Sequence, residues 1–409
     1  MNDYEKAINI LKKYKQDNIL NILEENRNEE LVKQILSIDF EQIEGLYSKT
    51  KECENFLNDK IENISYVDGN KMSIQEKQKY EKIGNQIIKE GKYAVVTMAG
   101  GQGTRLGHNG PKGTYKINIK PEPKFLFEII ADTLKQANEE YSTIIPWYIM
   151  TSRENNNETI EFLKKYNYFG YPENKIKFFI QGELPILNKE GKLLLNKEGK
   201  IEQASDGNGS IYKSMKKSGI ISDMKQNQIE WVYICSVDNI LLKIIEPVLL
   251  GLTITQQNEI ASKTIVKANP KERVGVFCRK NNKPSVIEYT ELPEEMSKMR
   301  DKNEELIYGE AHIMCNLFSL NAIEKIGTEN LPYHIALKKI NYYENNKKIE
   351  PTEPNAYKFE AYIFDAFSFF ENITLLRGKR EEDFAPVKNK EGIDSPETAI
   401  KLYNNYWRM

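Results

Sequence analysis

No two cysteines in this chain have the paired spacing of a zinc site. Cys53, Cys235, Cys278 and Cys315 are scattered through 409 residues, which implies a reduced cytosolic compartment and not a cysteine-built metal centre. No apolar run approaches the ~20 residues needed to cross a bilayer, and the opening MNDYEKAINILKKYK has no signal-peptide core. A soluble protein is expected. Charge of one sign is lacking too: 58 basic against 60 acidic side chains leave a net charge of -2. Nucleic acid and membrane are therefore not expected partners, because the lysines are interspersed with acids and form no global field. Any phosphate recognition must be local. Nowhere does Gly-Lys precede Ser or Thr, so ATP hydrolysis through a P-loop is not expected. Nothing in the pattern specifies an oligomeric state.

What is present has the length for one main domain with smaller additions. Tyr4, Ala7, Ile8, Leu11 and Tyr14 share a helical face, and Leu31, Val32, Ile35 and Leu36 repeat the device. Ser73-Ile-Gln-Glu76 is a capping box opening a helix that should stop at Gly91. Residues 1–91 thus read as a helical N-terminal unit. From Lys92, β-branched or aromatic runs (94–99, 147–151, 177–181 and 231–237) alternate with helical stretches, among them a crossover helix over 158–166. Strands apolar on both faces predict a doubly wound α/β sheet, Rossmann-like, with ligands beyond the strands' carboxyl ends. The run 265–289 reads as further strands in an antiparallel addition, which makes the sheet mixed. Two Asn-Lys-Glu-Gly tetrads flanking Leu193-Leu-Leu195 suggest a β-ribbon on the surface. The polar stretch YYENNKKIEPTEPN, after about residue 345, reads as a linker or crossover into a small C-terminal unit. The expected division is 1–91, a catalytic 92–345, and 346–409.

The stretch Met98-Ala-Gly-Gly-Gln-Gly-Thr-Arg-Leu-Gly107, followed by Pro111-Lys112-Gly113, leaves the first of these strands. Gly101, Gly103 and Gly107 are spaced G-x-G-x-x-x-G, one residue too long for a dinucleotide fingerprint. What fits is a loop whose backbone N–H groups approach a ligand closely, with Arg105 and Lys112 bracketing phosphate oxygens. That is the chemistry of holding a triphosphate.

The string AGGQGTRLG followed by PKG resembles the signature of the eukaryotic-type UDP-sugar pyrophosphorylases, and among these the UDP-N-acetylglucosamine branch. Further strings match in order over about 93–388: IPWYIMTS, Phe179-Ile-Gln181, Asp206-Gly-Asn-Gly209, Val237-Asp-Asn239, Ile287-Glu-Tyr289 and Ala385-Pro-Val-Lys388. The resemblance implies a uridylyltransferase that joins UTP and a sugar 1-phosphate and releases pyrophosphate. By it, the backbone of Met98, Ala99, Gly100 and Gly101 meets the uridine. Gln181 pairs with the uracil edge, for which an amide supplies both donor and acceptor. Gly207 and Asn208 approach the nucleotide or the sugar. Asp238 lies by the phosphates and holds Mg²⁺ together with phosphate oxygens and waters. Glu288 and Tyr289 contact the sugar, and Lys358 and Lys388 bind phosphate. Arg105, Lys112 and Lys388 form the expected catalytic set. They would act by suppressing repulsion between two polyanions during in-line attack on the α-phosphorus.

Two positions depart from the family pattern. His312, in Ala311-His312-Ile313, stands where the family has an asparagine that holds the sugar, and Tyr362 replaces the usual phenylalanine nearby. Imidazole can donate like an amide but with a different reach. The residues therefore keep open a UDP-glucose, UDP-galactose or broad UDP-sugar pyrophosphorylase, and a non-catalytic UDP-sugar sensor.

Overall fold

The computed structural model describes residues 1–51, 59–344 and 347–407; Cys53 lies outside them. Its principal sheet is ordered Val67–Asp68, Thr374–Arg377, Ile260–Val266, Glu310–Ser319, Trp231–Ser236, Tyr93–Met98, Trp147–Thr151, Ile176–Ile180. Neighbours run parallel except Glu310–Ser319, which is antiparallel to the strands on both its sides. The fold is thus the expected doubly wound mixed α/β sheet. Every residue of Tyr93–Met98 and of Trp147–Thr151 is buried, because helices cover both faces. Asn156–Lys165 is the crossover helix between two parallel strands. Val276–Lys280 and Lys283–Ile287 form the antiparallel addition, joined to Ile61–Glu62 at one edge.

The chain divides into two compact units along different lines from those the sequence suggests. One comprises Met1–Asn58, Gly182–Ser210 and Leu331–Ile363; the other comprises Asp59–Gln181, Ile211–Asn330 and Phe364–Met409. Three corrections follow. Residues 59–91 belong with the sheet: Val67–Asp68 pairs with Thr374–Arg377, and the helix Ile74–Lys89, opened by the Ser73 capping box, packs on Pro247–Thr255. The Leu193–Leu195 ribbon is interior, not superficial. Leu193 and Leu195 pack with Ala7, Leu11, Ile19, Leu31 and Ile35, and each of two glutamines satisfies a donor and an acceptor of the ribbon's backbone. Gln16 bonds Leu193 N and Gly191 O, and Gln34 bonds both backbone groups of Ile201. Finally, the stretch expected to be a linker or crossover holds the paired strands Tyr342–Glu344 and Lys347–Ile349, with Asn345 and Asn346 outside the described residues.

Within the second unit the loops after Tyr93–Met98, Trp147–Thr151, Ile176–Ile180 and Trp231–Ser236 leave the same edge of the sheet, because these four strands are parallel.

Candidate active site

The glycine-rich loop folds back on itself after Met98. Gly103 N–H donates to Gly110 O (2.9 Å) and Lys112 N–H to Gly101 O (3.0 Å). The turn Thr104–Leu106 ends on Gly107 at φ +69°, a conformation that favours glycine. Gly103 has no room for a side chain, since a Cβ there would sit 2.7 Å from the His108 ring. His108 Nε2 in turn bonds Thr114 Oγ1 (2.7 Å), and that hydroxyl donates to Pro111 O (2.8 Å). From the next strand's loop, the buried Asn155 donates to Ala99 O (2.9 Å). His108 and Asn155 were not singled out by the sequence, because a loop buttress leaves no periodic signal.

At Gly100 a Cβ would lie 2.6 Å from Gln181 Oε1. The missing side chain lets the Gln181 amide rest against the loop, and Gln181 itself is fixed by its N–H bond to Thr151 O (2.9 Å). Met98 and Ala99 are buried, while Gly101 and Arg105 are exposed.

The loop's lysine reaches the end of the adjacent strand. Lys112 Nζ lies 2.7 Å from Asp238 Oδ2, with both side chains largely covered, and Ser236 Oγ donates to Asp238 Oδ1 (2.8 Å). Burial alone would raise the Asp238 pKa, but the charges of Lys112 and Lys388 and the two hydrogen bonds outweigh it, and the pKa falls to about 2. Asp238 is therefore a carboxylate throughout the working range. Lys388 Nζ stands 3.9 Å from Asp394 Oδ2. Its segment is laid on the Asp238 turn by Val387 N–H to Asp238 O (2.8 Å) and Ala385 N–H to Asn239 Oδ1 (2.8 Å). Among the described residues no cluster of three or more His, Cys, Asp or Glu could hold a metal ion. A divalent cation here would have one protein carboxylate and would need phosphate oxygens and water for the rest, which is what a phosphate-bound Mg²⁺ accepts.

Glu288 and Tyr289 follow directly on the edge strand Lys283–Ile287, and Tyr289 is exposed. His312 is nearly enclosed, at 5 % exposure. Phe277, Phe364 and Phe367 meet its ring edge-on, and Nε2 bonds Asn316 Oδ1 (3.0 Å). Lys388 is close enough for its charge to act on the ring.

The first unit holds the other expected residues. Gly207, at φ +91°, is required by its own chain, since a Cβ would overlap the carbonyl of Ala361. Asn208 Oδ1 accepts from Ile363 N–H (2.8 Å). Lys358, on the strand Ala356–Glu360, pairs with Glu360 (2.8 Å). The Tyr362 ring lies 4.6 Å from that of His334.

A family model described as UTP--glucose-1-phosphate uridylyltransferase matches residues 39–394. The chain belongs to this family. It is 35 % identical over 394 residues to the UDP-N-acetylglucosamine pyrophosphorylase of Saccharomyces cerevisiae, covering 89 % of this chain and 82 % of that one. Its structure matches the uridine diphosphate N-acetylglucosamine pyrophosphorylase of Trypanosoma brucei, solved with an inhibitor, at TM-score 0.83 and 28 % identity, over 98 % and 84 % of the two chains. The UDP-glucose pyrophosphorylase of Leishmania major matches at TM-score 0.66 and 16 % identity, over 91 % and 77 %, and shares the fold. No helix among the described residues is long and apolar enough to cross a membrane.

Proposed function

We propose that this chain is a uridylyltransferase that joins UTP and N-acetylglucosamine 1-phosphate, giving UDP-N-acetylglucosamine and pyrophosphate. The observation that carries the reading is the trio Lys112, Asp238 and Lys388 at the carboxyl edge of the parallel strands, beside a loop with Gln181 against Gly100. Family membership supplies the reaction class. The choice of sugar rests on the likeness to relatives named for N-acetylglucosamine, which is greater than that to the UDP-glucose enzyme.

In this reading the backbone from Met98 to Gly101 and the Gln181 amide hold the uridine. A sugar phosphate oxygen, already anionic, attacks the α-phosphorus in line and pyrophosphate leaves from the far side, so no general base is needed. Lys112, Arg105, Lys358 and Lys388 offset the accumulated negative charge and stabilise that developing on the leaving group. Gly207, Asn208, Glu288, Tyr289 and His312 are the proposed sugar-side and nucleotide-side contacts. Asp238 would be the protein ligand of Mg²⁺, which when bound neutralises phosphate charge. Its carboxylate is preformed because Lys112 holds it ionised. A reduced cytosolic setting is part of the reading, supported by the free thiols of Cys235, Cys278 and Cys315.

The test is pyrophosphate release from UTP, Mg²⁺ and a panel of sugar 1-phosphates. Turnover with N-acetylglucosamine 1-phosphate above that with glucose or galactose 1-phosphate is expected. Preference for glucose 1-phosphate would move the assignment to a UDP-glucose enzyme, and UTP binding without turnover on any sugar would make the chain a sensor.

A further inference from the structure

A buried charge cluster lies behind the segment that carries Lys388. Lys263, in the middle of the strand Ile260–Val266, pairs with both Glu246 and Asp383, at 2.7 Å to Asp383 Oδ1. Their exposures are 6 %, 8 % and 4 %. Lys243, at 3.1 Å from the same Asp383 oxygen, is the fourth charge. Gly378 makes room, because a Cβ there would collide with the Asp383 carboxylate and lie 2.9 Å from Lys263 Cε.

Such a cluster is poor value as a stabiliser. Desolvating several charges is costly, and apolar residues of similar volume commonly serve as well or better. What it does provide is a fixed position for Asp383, and Asp383 starts the run that ends at Lys388. Its carbonyl accepts from Asn239 Nδ2 (2.7 Å), and Asn239 Oδ1 receives Ala385 N–H (2.8 Å). Ile240 N–H then donates to Ala385 O (3.2 Å) and Val387 N–H to Asp238 O (2.8 Å). Residues 383–387 are thereby laid antiparallel along the turn 238–240, with the side chain of Asp383 pinned to the sheet at one end and Lys388 emerging at the other. One Asn239 side chain grips the segment on both sides of Phe384. The strand, the buried lysine, the pinned aspartate and the turn holding Asp238 form one continuous set of contacts.

We propose that Lys263 is a positioning residue for Lys388: through Asp383 it fixes the segment 383–387 in register on the Asp238–Asn239 turn, and so sets where the Lys388 ammonium stands relative to Asp238 and Lys112. The proposal rests on the phosphate-binding role of Lys388 argued above. Lys263 touches no substrate in it.

The experiment is a double-mutant cycle in the full chain. The three buried charges are removed together, as Lys263→Met with Glu246→Gln and Asp383→Asn, and Lys243, about a third exposed, keeps Glu382 as its partner at 3.6 Å, so that no uncompensated charge stays buried. This triple variant is compared in the native and Lys388→Ala backgrounds, reading both kcat and UTP affinity by calorimetry. A loss of about tenfold in the native background and less than about twofold in the Lys388→Ala background is expected, a coupling of the size contacting networks show. Equal losses in both backgrounds would mean that the cluster supports the fold in general, and no loss in the native background would mean that Lys388 is placed without it; either overturns the proposal. If the triple variant gives no cooperative melt, Lys263→Arg, which keeps a buried cation but changes its reach to Asp383, is read in the same cycle against the same outcomes. Wild-type kcat and affinity in Lys388→Ala alone would overturn the proposal together with the role of Lys388. Absence of turnover in the wild type would overturn uridylyl transfer, while the cycle in UTP affinity would still decide the proposal.

Discussion

Burial drives the pKa of His312 down to about 4, assisted by the charge of Lys388 and opposed by the hydrogen bond to Asn316. In the unfolded chain the ring takes up its proton near pH 6.5, so between pH 6.5 and 4 the unfolded state binds more protons than the fold. The resulting stability is present in full above pH 6.5 and is lost as the pH falls to about 4, a change of about 3 kcal/mol. Urea titrations at pH 7 and pH 4 should show wild type losing about that much more than His312→Gln, in which nothing titrates at this position. At the same scale, Arg105→Ala and Lys112→Ala should each lower kcat by about 10²-fold or more, the usual cost of a lost transition-state contact to developing charge. Activity within a few-fold of wild type in the pyrophosphate assay would remove that residue from the catalytic set. Arg105 and Lys112 were readable because they sit in a glycine-rich string. The surroundings of His312 were not, since Phe277, Asn316, Phe364 and Phe367 are dispersed along the sequence.

Helices Ile74–Lys89 and Pro247–Thr255 meet through two glycines. A Cβ at Gly84 would overlap the Pro247 carbonyl, and one at Gly251 would overlap that of Tyr80. Alanine is the better helix former by about 1 kcal/mol in an exposed interior position, but here it must push two backbones apart. Gly251→Ala should therefore destabilise by about 1–3 kcal/mol in spite of its propensity, the range seen for overpacked cores, and thermal unfolding will show the sign directly. An unchanged or raised melting temperature would mean that the helices are not in contact at Gly251. Propensity and pattern identified most elements of this kind correctly. The strands Tyr93–Met98, Trp147–Thr151, Ile176–Ile180 and Trp231–Ser236 lie within a residue or so of their apolar runs, and the Ser73 box opens its helix. Val67–Asp68 has no apolar run to reveal it, and its partner, Thr374–Arg377, lies some three hundred residues away.

At the scale of the whole chain, each unit is assembled from three separate segments. The four helices between Asp3 and Lys49 cover Leu187, Leu193, Leu195, Ile201 and Phe359, which come from the other two segments of the first unit. Deleting residues 1–51 should leave that apolar surface uncovered and Gln16 and Gln34 missing from the ribbon backbone. The truncated chain is expected to bind a hydrophobic dye and to lose part of its cooperative unfolding transition. A truncated chain that melts like the full one, without dye binding, would show that the helices are dispensable to the unit.

By itself the sequence determined the alternation of strand and helix, the place of the glycine-rich loop after the first strand of the sheet core and the family, because these depend on local periodicity, on glycine backbone freedom and on short strings of neighbouring residues. The tertiary structure decided what no neighbouring residues encode: that Lys112 and Asp238, 126 positions apart, form a partly buried ion pair; that the Leu193–Leu195 ribbon is core; and that Lys263 and Asp383, 120 positions apart, form a buried one. Each of these depends on chain segments meeting from a distance. The energy that fixes such meetings lies in burial and in hydrogen bonds whose second partner is elsewhere in the chain.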